Sequence, residues 1–116
     1  MIKEANEINV DVELSTGRKV LVFYANWCGN CNMYKPVLEE YSAKSGVDVI
    51  RANIDTEKEL VKQFEVQSIP ATFIFENGRR VKNFLGYKPL SELETLNPVE
   101  ACDICNLAIE CYCKQC

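Results

Sequence analysis

A short apolar run that ends just before a pair of cysteines is the feature that most constrains the fold of this sequence. Residues 20–24, VLVFY, form a continuous β-branched and aromatic segment, which is the pattern of a strand buried on both faces of its sheet. The stretch that follows, from residue 28 to about residue 44, has apolar residues at helical spacing. Because both faces of such a strand must be covered, this strand–helix unit predicts an α/β fold.

The alternation of strands and helices continues as far as residue 96. We predict further strands over residues 2–4, 47–53, 71–75 and 80–85, and further helices over residues 8–14, 91–96 and from a cap at Asp55 or Thr56 through Phe64. Asn77 and Gly78 are typical of a two-residue hairpin turn, so the last two strands should be antiparallel. Pro36 should kink the second helix. This order predicts a mixed central sheet with helices on both faces.

A boundary near Asn97 and Pro98 divides the chain into two parts. The length of 116 residues suits one domain, and we assign residues 1–97 to it. Residues 98–116 form a short C-terminal extension that holds five of the seven cysteines. The hydrophobic content of 47% is that of an ordinary globular chain, so the domain should form its core without a metal or disulfide staple.

Composition excludes several classes of function. The net charge is −4, whereas nucleic acids and anionic membranes are bound by basic surfaces. The longest apolar run, residues 20–25, is far too short to span a bilayer, and the first residues lack the apolar stretch of a secretory signal. We therefore expect a cytoplasmic protein that binds neither nucleic acid nor membrane. The chain has no histidine, which excludes Ser-His and Cys-His catalysis.

Cys28 and Cys31 are predicted to lie where the buried strand passes into the second helix. A thiol at a helix N-terminus faces unpaired backbone N–H groups and the positive end of the helix dipole, which lower a cysteine pKa from about 8.5 to about 7 or below. Cys28, the first of the pair, is the better placed to attack a disulfide. Cys31, one turn into the helix, suits a resolving thiol, and this spacing lets the two sulfurs form a disulfide.

Two other interpretations of this pair remain open from the residues alone. It could be half of a metal site, or two buried thiols that pack as small apolar groups. Its position after a strand in a βαβ pattern favours a redox function.

The segment Trp27-Cys28-Gly29-Asn30-Cys31 resembles the active-site segment of the thioredoxin family. The resemblance covers roughly residues 2–97 and continues in the pieces Asn53-Ile54-Asp55, Ser68-Ile69-Pro70-Ala71, Asn77-Gly78 and Gly86. It implies the thioredoxin fold and a protein disulfide reductase activity. The implied partners are disulfide-containing protein substrates and a thioredoxin-reductase-type electron donor, and the redox site is expected to need no cofactor.

The resemblance also implies a substrate groove around the cysteines. Ile69-Pro70 should be a cis peptide opposite the pair, exposing backbone groups of Ile69 to an extended substrate segment. The residues implied to shape this groove are Trp27, Gly29, Asn30, Ile69, Pro70 and Gly86. On their own, Pro70 is compatible with an ordinary turn proline and Trp27 with a purely structural packing role.

Three positions depart from the family pattern. Asn30 stands where thioredoxins usually have proline, and its extra backbone N–H should favour the thiolate form and give a less reducing couple. Val22 stands where the family generally has a buried aspartate that accepts a proton from the resolving thiol, so water or another group must take that role. Arg51 stands where the family often has lysine, and we expect it to be a solvated charge without an ion pair.

The cysteines of the extension form two further CxxC pairs, and Cys111 lies between them. Four such thiolates are the ligand type of a structural zinc site, here Cys102, Cys105, Cys113 and Cys116. In one straight helix the two pairs would lie about 16 Å apart, so a shared metal requires the chain to fold back. Zinc or another metal, local disulfides and free packing thiols all remain open. A metal-handling protein and a non-catalytic interaction module are thus the alternatives to an oxidoreductase.

Overall fold

Strands and helices alternate along the part of the chain that the structure describes, residues 2–6 and 9–96 of a computed structural model. The elements are β1 (Ile2–Glu4), α1 (Val10–Leu14), β2 (Arg18–Tyr24), α2 (Gly29–Ser45), β3 (Asp48–Asn53), α3 (Lys58–Phe64), β4 (Ala71–Glu76), β5 (Arg79–Leu85) and α4 (Leu90–Leu96). The predicted alternation of strands and helices is confirmed. The cysteine-rich extension predicted over residues 98–116 lies outside the described residues, so the division of the chain into two parts stays a prediction.

The strands form one mixed sheet in the order β1-β3-β2-β4-β5. β1 and β2 both pair with β3 in parallel, whereas β4 is antiparallel to β2 and to β5. β2 is central and is buried from Val20 onwards, as its continuous apolar run predicted. The predicted α/β fold class, with a mixed central sheet, is therefore confirmed.

A buried apolar cluster lies on each face of the sheet. One cluster joins β2, β3 and β4 to α1 and α3 through residues such as Leu21, Phe23 and Leu60. The other joins the opposite face to α2 and α4 through Val20, Tyr34 and Leu93, among others. Successive residues of β2 alternate between the two clusters, because side chains of a strand point to opposite faces in turn. Helices thus cover both faces of the sheet, as predicted.

The turn between β4 and β5 has the conformation expected of its sequence. Asn77 and Gly78 have φ angles of 53° and 87°, in the left-handed region that a tight hairpin turn requires and that these residue types tolerate best. The backbone N–H of Asn77 donates to the carbonyl of Gly17 at 2.9 Å, and its side-chain oxygen accepts from the Gly17 N–H at 2.9 Å. The antiparallel pairing of the last two strands is confirmed.

The start of α3 differs from the prediction. Its N-cap is Glu57, not Asp55 or Thr56, and no side chain caps it. Residues 54–56 form a turn before the N-cap. Asn53 holds this turn, because its side chain accepts from the Asp55 N–H at 2.8 Å and its carbonyl accepts from the Glu57 N–H at 2.8 Å. The Thr56 hydroxyl lies within hydrogen-bond distance of the Asn53 carbonyl and of the Glu57 carboxylate, so it does not cap the helix.

Candidate active site

The topology brings several loops to one edge of the sheet. β2 and β3 are parallel, so their carboxyl ends lie at the same edge, and the antiparallel pairing of β4 places its first residue there too. Ala71 at the start of β4 pairs with Phe23 on one side and with Leu85, at the end of β5, on the other. The segments that follow β2, β3 and β5 and the one that precedes β4 therefore meet at this edge, which contains the predicted site residues.

Cys28 and Cys31 form a disulfide at the N-terminus of α2, with their Cα atoms 5.2 Å apart. Cys28 is the N-cap residue, with extended backbone angles of −91° and 113°, and Cys31 lies one turn inside the helix. Cys28 is 9% exposed and Cys31 2%, so the first cysteine is the more accessible of the two.

A backbone N–H of the first helical turn is directed at the Cys28 sulfur. The N–H of Cys31 donates to the Sγ of Cys28 at 3.1 Å. The first turn of this 17-residue helix contains no acidic residue, so no negative charge of the helix itself opposes an anion there. A helix N-terminus of this kind favours a thiolate over a thiol when the disulfide is reduced.

Apolar side chains of three neighbouring segments pack around the disulfide. Tyr24 and Ala25, at the end of β2, form one buried cluster with the two cysteines. Ile54, which follows β3, and Ile69, which precedes β4, pack against this cluster. The expected proximity of Ile69 to the cysteine pair is therefore present in the structure.

The peptide bond between Ile69 and Pro70 is cis, as the resemblance implied. The Pro70 carbonyl accepts a hydrogen bond from the N–H of Gly86 at 2.8 Å. Gly86 has a φ of 89°, a conformation that residues with a Cβ rarely adopt, so a glycine suits this position. The segment that contains Gly86 is thus joined to the cis-proline segment by a backbone hydrogen bond.

Trp27 lies on the surface beside the disulfide. Its side chain is 69% exposed, so it does not fill the core, and its indole N–H donates to a carboxylate oxygen of Asp55 at 3.0 Å. Gly29 and Asn30, in the first turn of α2, are exposed as well. Asp55 was not among the predicted site residues, although the segment Asn53-Ile54-Asp55 belonged to the resemblance and offered a sequence clue.

Arg51 differs from the prediction, which made it a solvated charge without an ion pair. It is buried, and its guanidinium carbon lies 3.7 Å from the centre of the Tyr24 ring. Its Nη1 atom lies 3.7 Å from a carboxylate oxygen of Glu4, the residue that pairs with it in the parallel ladder of β1 and β3. The prediction considered only Val22, which pairs with Arg51 on the other side. It missed the contacts that β1 and the Tyr24 ring provide.

No group of three or more potential metal ligands occurs in residues 2–6 and 9–96. The four cysteines proposed as zinc ligands, from Cys102 to Cys116, lie outside the described residues. Among the described helices, none has the length and apolar character needed to cross a membrane.

Comparison with known proteins gives a family-model match to Thioredoxin over residues 1–97. The chain belongs to the thioredoxin family. It is 40% identical over 91 residues to the Thioredoxin of Alicyclobacillus acidocaldarius, covering 76% of this chain and 87% of that protein. It is 36% identical over 93 residues to the Thioredoxin of Mycoplasmoides gallisepticum, covering 78% and 93%. The Thioredoxin of Listeria monocytogenes is 35% identical over 96 residues, with 81% and 93% covered.

Membership of the thioredoxin family establishes the general activity. The fold is the thioredoxin fold, and the chain is a thiol–disulfide oxidoreductase whose redox chemistry requires no cofactor. The pair of cysteines at disulfide distance agrees with this activity. The family match ends at residue 97, before the cysteines of the extension, and therefore lends no support to the metal-handling alternative.

Proposed function

We propose that the chain is a protein disulfide reductase in which Cys28 is the nucleophile and Cys31 the resolving thiol. The observation that carries the proposal is the position of Cys28 as N-cap of α2, where its sulfur accepts a hydrogen bond from the N–H of Cys31. The greater exposure of Cys28 supports its role as the attacking group, since a substrate disulfide must reach the sulfur that attacks it.

The proposed reaction has two exchange steps. The Cys28 thiolate attacks one sulfur of a substrate disulfide, so that a Cys28–substrate bond forms while the substrate disulfide breaks and its second sulfur leaves as a thiolate. The Cys31 thiolate then attacks the Cys28 sulfur, forming the Cys28–Cys31 disulfide and releasing the first substrate sulfur. Two electrons pass from the dithiol to the substrate, and the Cys31 proton passes to water.

The substrate segment is proposed to lie against the loops that surround the disulfide. An extended segment would pair with backbone groups of Ile69, and its side chains would contact the exposed ring of Trp27. The remaining residues of the proposed groove are Gly29, Asn30, Pro70 and Gly86. The packing of Ile69 against the cysteine cluster and the hydrogen bond between Gly86 and Pro70 support this arrangement.

The proposed partners are disulfide-containing proteins, as substrates, and a reductase of the thioredoxin-reductase type that restores the dithiol. A cytoplasmic location, expected from the sequence, is part of this proposal, because a reducing compartment supplies such a donor. A metal at the extension cysteines is not required by any step.

Cysteine variants test the proposal through the reduction of insulin disulfides by dithiothreitol. Cys28→Ser should abolish catalysis, because no thiolate remains at the helix N-terminus. Cys31→Ser should lose most of the turnover yet accumulate a covalent adduct on Cys28 when a disulfide-containing peptide is added, as seen by mass spectrometry. Cys111→Ser, the same substitution outside the pair, should retain the rate. Full activity in Cys28→Ser would refute the assignment, and no activity in the unmodified protein would favour a non-catalytic interaction module.

A further inference from the structure

A buried arginine lies on β3, beside the central strand that leads to the redox pair. Arg51 pairs with Val22 of the central strand, and its side chain is 7% exposed. Arginine does not lose its proton under protein conditions, so this position carries a permanent positive charge inside the fold. Val22 provides no carboxylate to neutralise it.

The contacts of Arg51 compensate its charge only in part. The acidic contact is Glu4, whose oxygen lies 3.7 Å from Nη1 and whose side chain is 59% exposed, so water screens that carboxylate. The Nε atom is buried and has no hydrogen-bond partner in the part of the chain that the structure describes. The flat face of the guanidinium lies against the Tyr24 ring, a cation–π contact that leaves the charge in place.

Tyr24 connects this arginine to the redox site. The ring that contacts the guanidinium belongs to the same buried cluster as Cys28 and Cys31. The tyrosine hydroxyl donates to Glu4 at 2.9 Å. Burial, together with Glu4, raises the pKa of Tyr24, so the phenol is neutral at the pH at which the exchange operates and adds no negative charge.

The described segments next to the cysteines contain few charged residues. The first turn of α2 and the segment around Ile69 contain no charged residue, and Asp55, which accepts the Trp27 indole N–H, is exposed to solvent. Among the residues that the structure describes, Arg51 is the charged residue that is buried, and its acidic contact Glu4 is exposed.

We propose that Arg51 is a positioning residue for the redox reaction, whose buried positive charge favours the anionic sulfur of the reduced pair over the neutral disulfide. The inference rests on the proposed function of Cys28 and Cys31. Stabilising the thiolate stabilises the reduced form, so Arg51 makes the couple more oxidising. It also favours the loss of the Cys31 proton to water, at a position where Val22 supplies no base.

Equilibration of the full chain with glutathione tests this role. Arg51→Met removes the charge and keeps an apolar chain of similar length, so its equilibrium constant for oxidation should rise by about three- to tenfold, a tenfold change being about 30 mV for a two-electron couple. Arg51→Lys retains the charge and should stay within about twofold of the unmodified protein. Lys19→Met is the matched control, since Lys19 is also largely buried and ion-paired but lies at the opposite end of β2. It should leave the constant unchanged.

Glu4→Gln gives an independent variant that keeps an acceptor for the Tyr24 hydroxyl. Removal of the neighbouring carboxylate should lower the oxidation constant, the opposite direction from Arg51→Met. The pH profile of Cys28 alkylation should move to higher pH in Arg51→Met and to lower pH in Glu4→Gln, shifts that a merely structural role would not produce. Unchanged constants and profiles in both variants, with insulin reduction retained, would overturn the role of Arg51 alone. Absence of insulin reduction in the unmodified protein would overturn the proposed function instead.

Discussion

Asn30 gives the first turn of α2 a backbone N–H that the usual family proline would lack. It is exposed and lies between the two cysteines, in the turn whose N–H groups have no partners within the helix. An additional donor in this turn favours the thiolate and therefore stabilises the reduced form. We predict that Asn30→Pro makes the couple more reducing, raising its oxidation constant against glutathione by about three- to tenfold.

Asn30→Ala separates the effect of the backbone N–H on the potential from the effect of the side-chain amide. Alanine keeps the N–H and removes only the amide, so its potential should match that of the unmodified protein. An unchanged or more oxidising couple in Asn30→Pro would contradict the prediction. A shift of equal size in Asn30→Ala would assign the effect to the side chain.

The residues that the sequence misassigned owe their surroundings to distant parts of the chain. Arg51 was expected in solvent because Val22 opposite it offers no carboxylate. Its actual contacts are with the Tyr24 ring and with Glu4 of another strand. Asp55 was expected to cap a helix, but its carboxylate accepts from Trp27 instead. Strand pairing creates both sets of contacts, and local propensity contains no information about them. By contrast, the position of Cys28 and Cys31 at the start of a helix was predicted correctly, because it depends on one local strand–helix junction.

At the scale of elements, α2 contains both the redox pair and the buried residues that pack the helix against the sheet. Its N-terminal turn carries the cysteines, while Tyr34, Leu38 and Tyr41 are buried against the sheet and α4. The Tyr34 hydroxyl and the buried Thr72 hydroxyl of β4 lie 3.1 Å apart, within hydrogen-bond distance. Apolar residues at helical spacing predicted the helix, but they did not single out Tyr34. Its partner on β4 was not readable either, because it is 38 residues away.

The two buried tyrosines of α2 predict a loss of stability in alkali. Burial is the main cause that raises the pKa of both Tyr34 and Tyr41 to about 12, whereas an unfolded chain ionises its tyrosines near 10. A group whose pKa is higher in the folded state stabilises the fold fully below the unfolded pKa and loses that contribution as the pH rises to the folded value. The free energy of unfolding should therefore fall between about pH 10 and 12, by up to about 1.4 kcal/mol per pH unit for each tyrosine.

Urea unfolding of the oxidised protein across this pH range provides the measurement. Tyr34→Phe should lose about 1 kcal/mol at neutral pH, because the Thr72 hydroxyl loses its partner, and should show a shallower alkaline decline. A decline as steep as that of the unmodified protein would show that Tyr34 does not contribute to it.

At the scale of the whole molecule, the order of the strands in the sheet brings the site residues together. Local sequence patterns specify this order less well than they specify the strands themselves. Hydrophobic runs located the strands, yet the order β1-β3-β2-β4-β5 is set by pairings between distant residues. Only the resemblance to thioredoxins indicated that Ile69-Pro70 is cis and lies opposite the cysteines. Given that order, the loops after β2, β3 and β5 and before β4 meet at one edge, which explains how scattered residues form one site.

Removal of the C-terminal extension should leave the fold and the redox site of the domain intact. The buried clusters on both faces, and the disulfide with its surrounding loops, involve residues within 2–96 of the described chain, and the family match ends at residue 97. A chain that ends at residue 97 should therefore keep its urea midpoint and reduce insulin at a rate within about twofold of the full chain, since no proposed step uses the extension. A large loss of rate with an unchanged midpoint would instead give the extension cysteines a part in the exchange.

Metal analysis and thiol counting on both chains, purified without oxygen, separate the possible states of those cysteines. Four thiolates from Cys102, Cys105, Cys113 and Cys116 holding one zinc ion would give metal that is lost in the shortened chain. Local disulfides would instead reduce the thiol count of the full chain, and free thiols would give five more reactive groups than the shortened chain. In each case the potential of Cys28 and Cys31 should be the same in both chains, because the positive polarity at their sulfurs comes from α2 and Arg51, which both chains retain. A change in that potential on truncation would show that the extension acts on the redox pair.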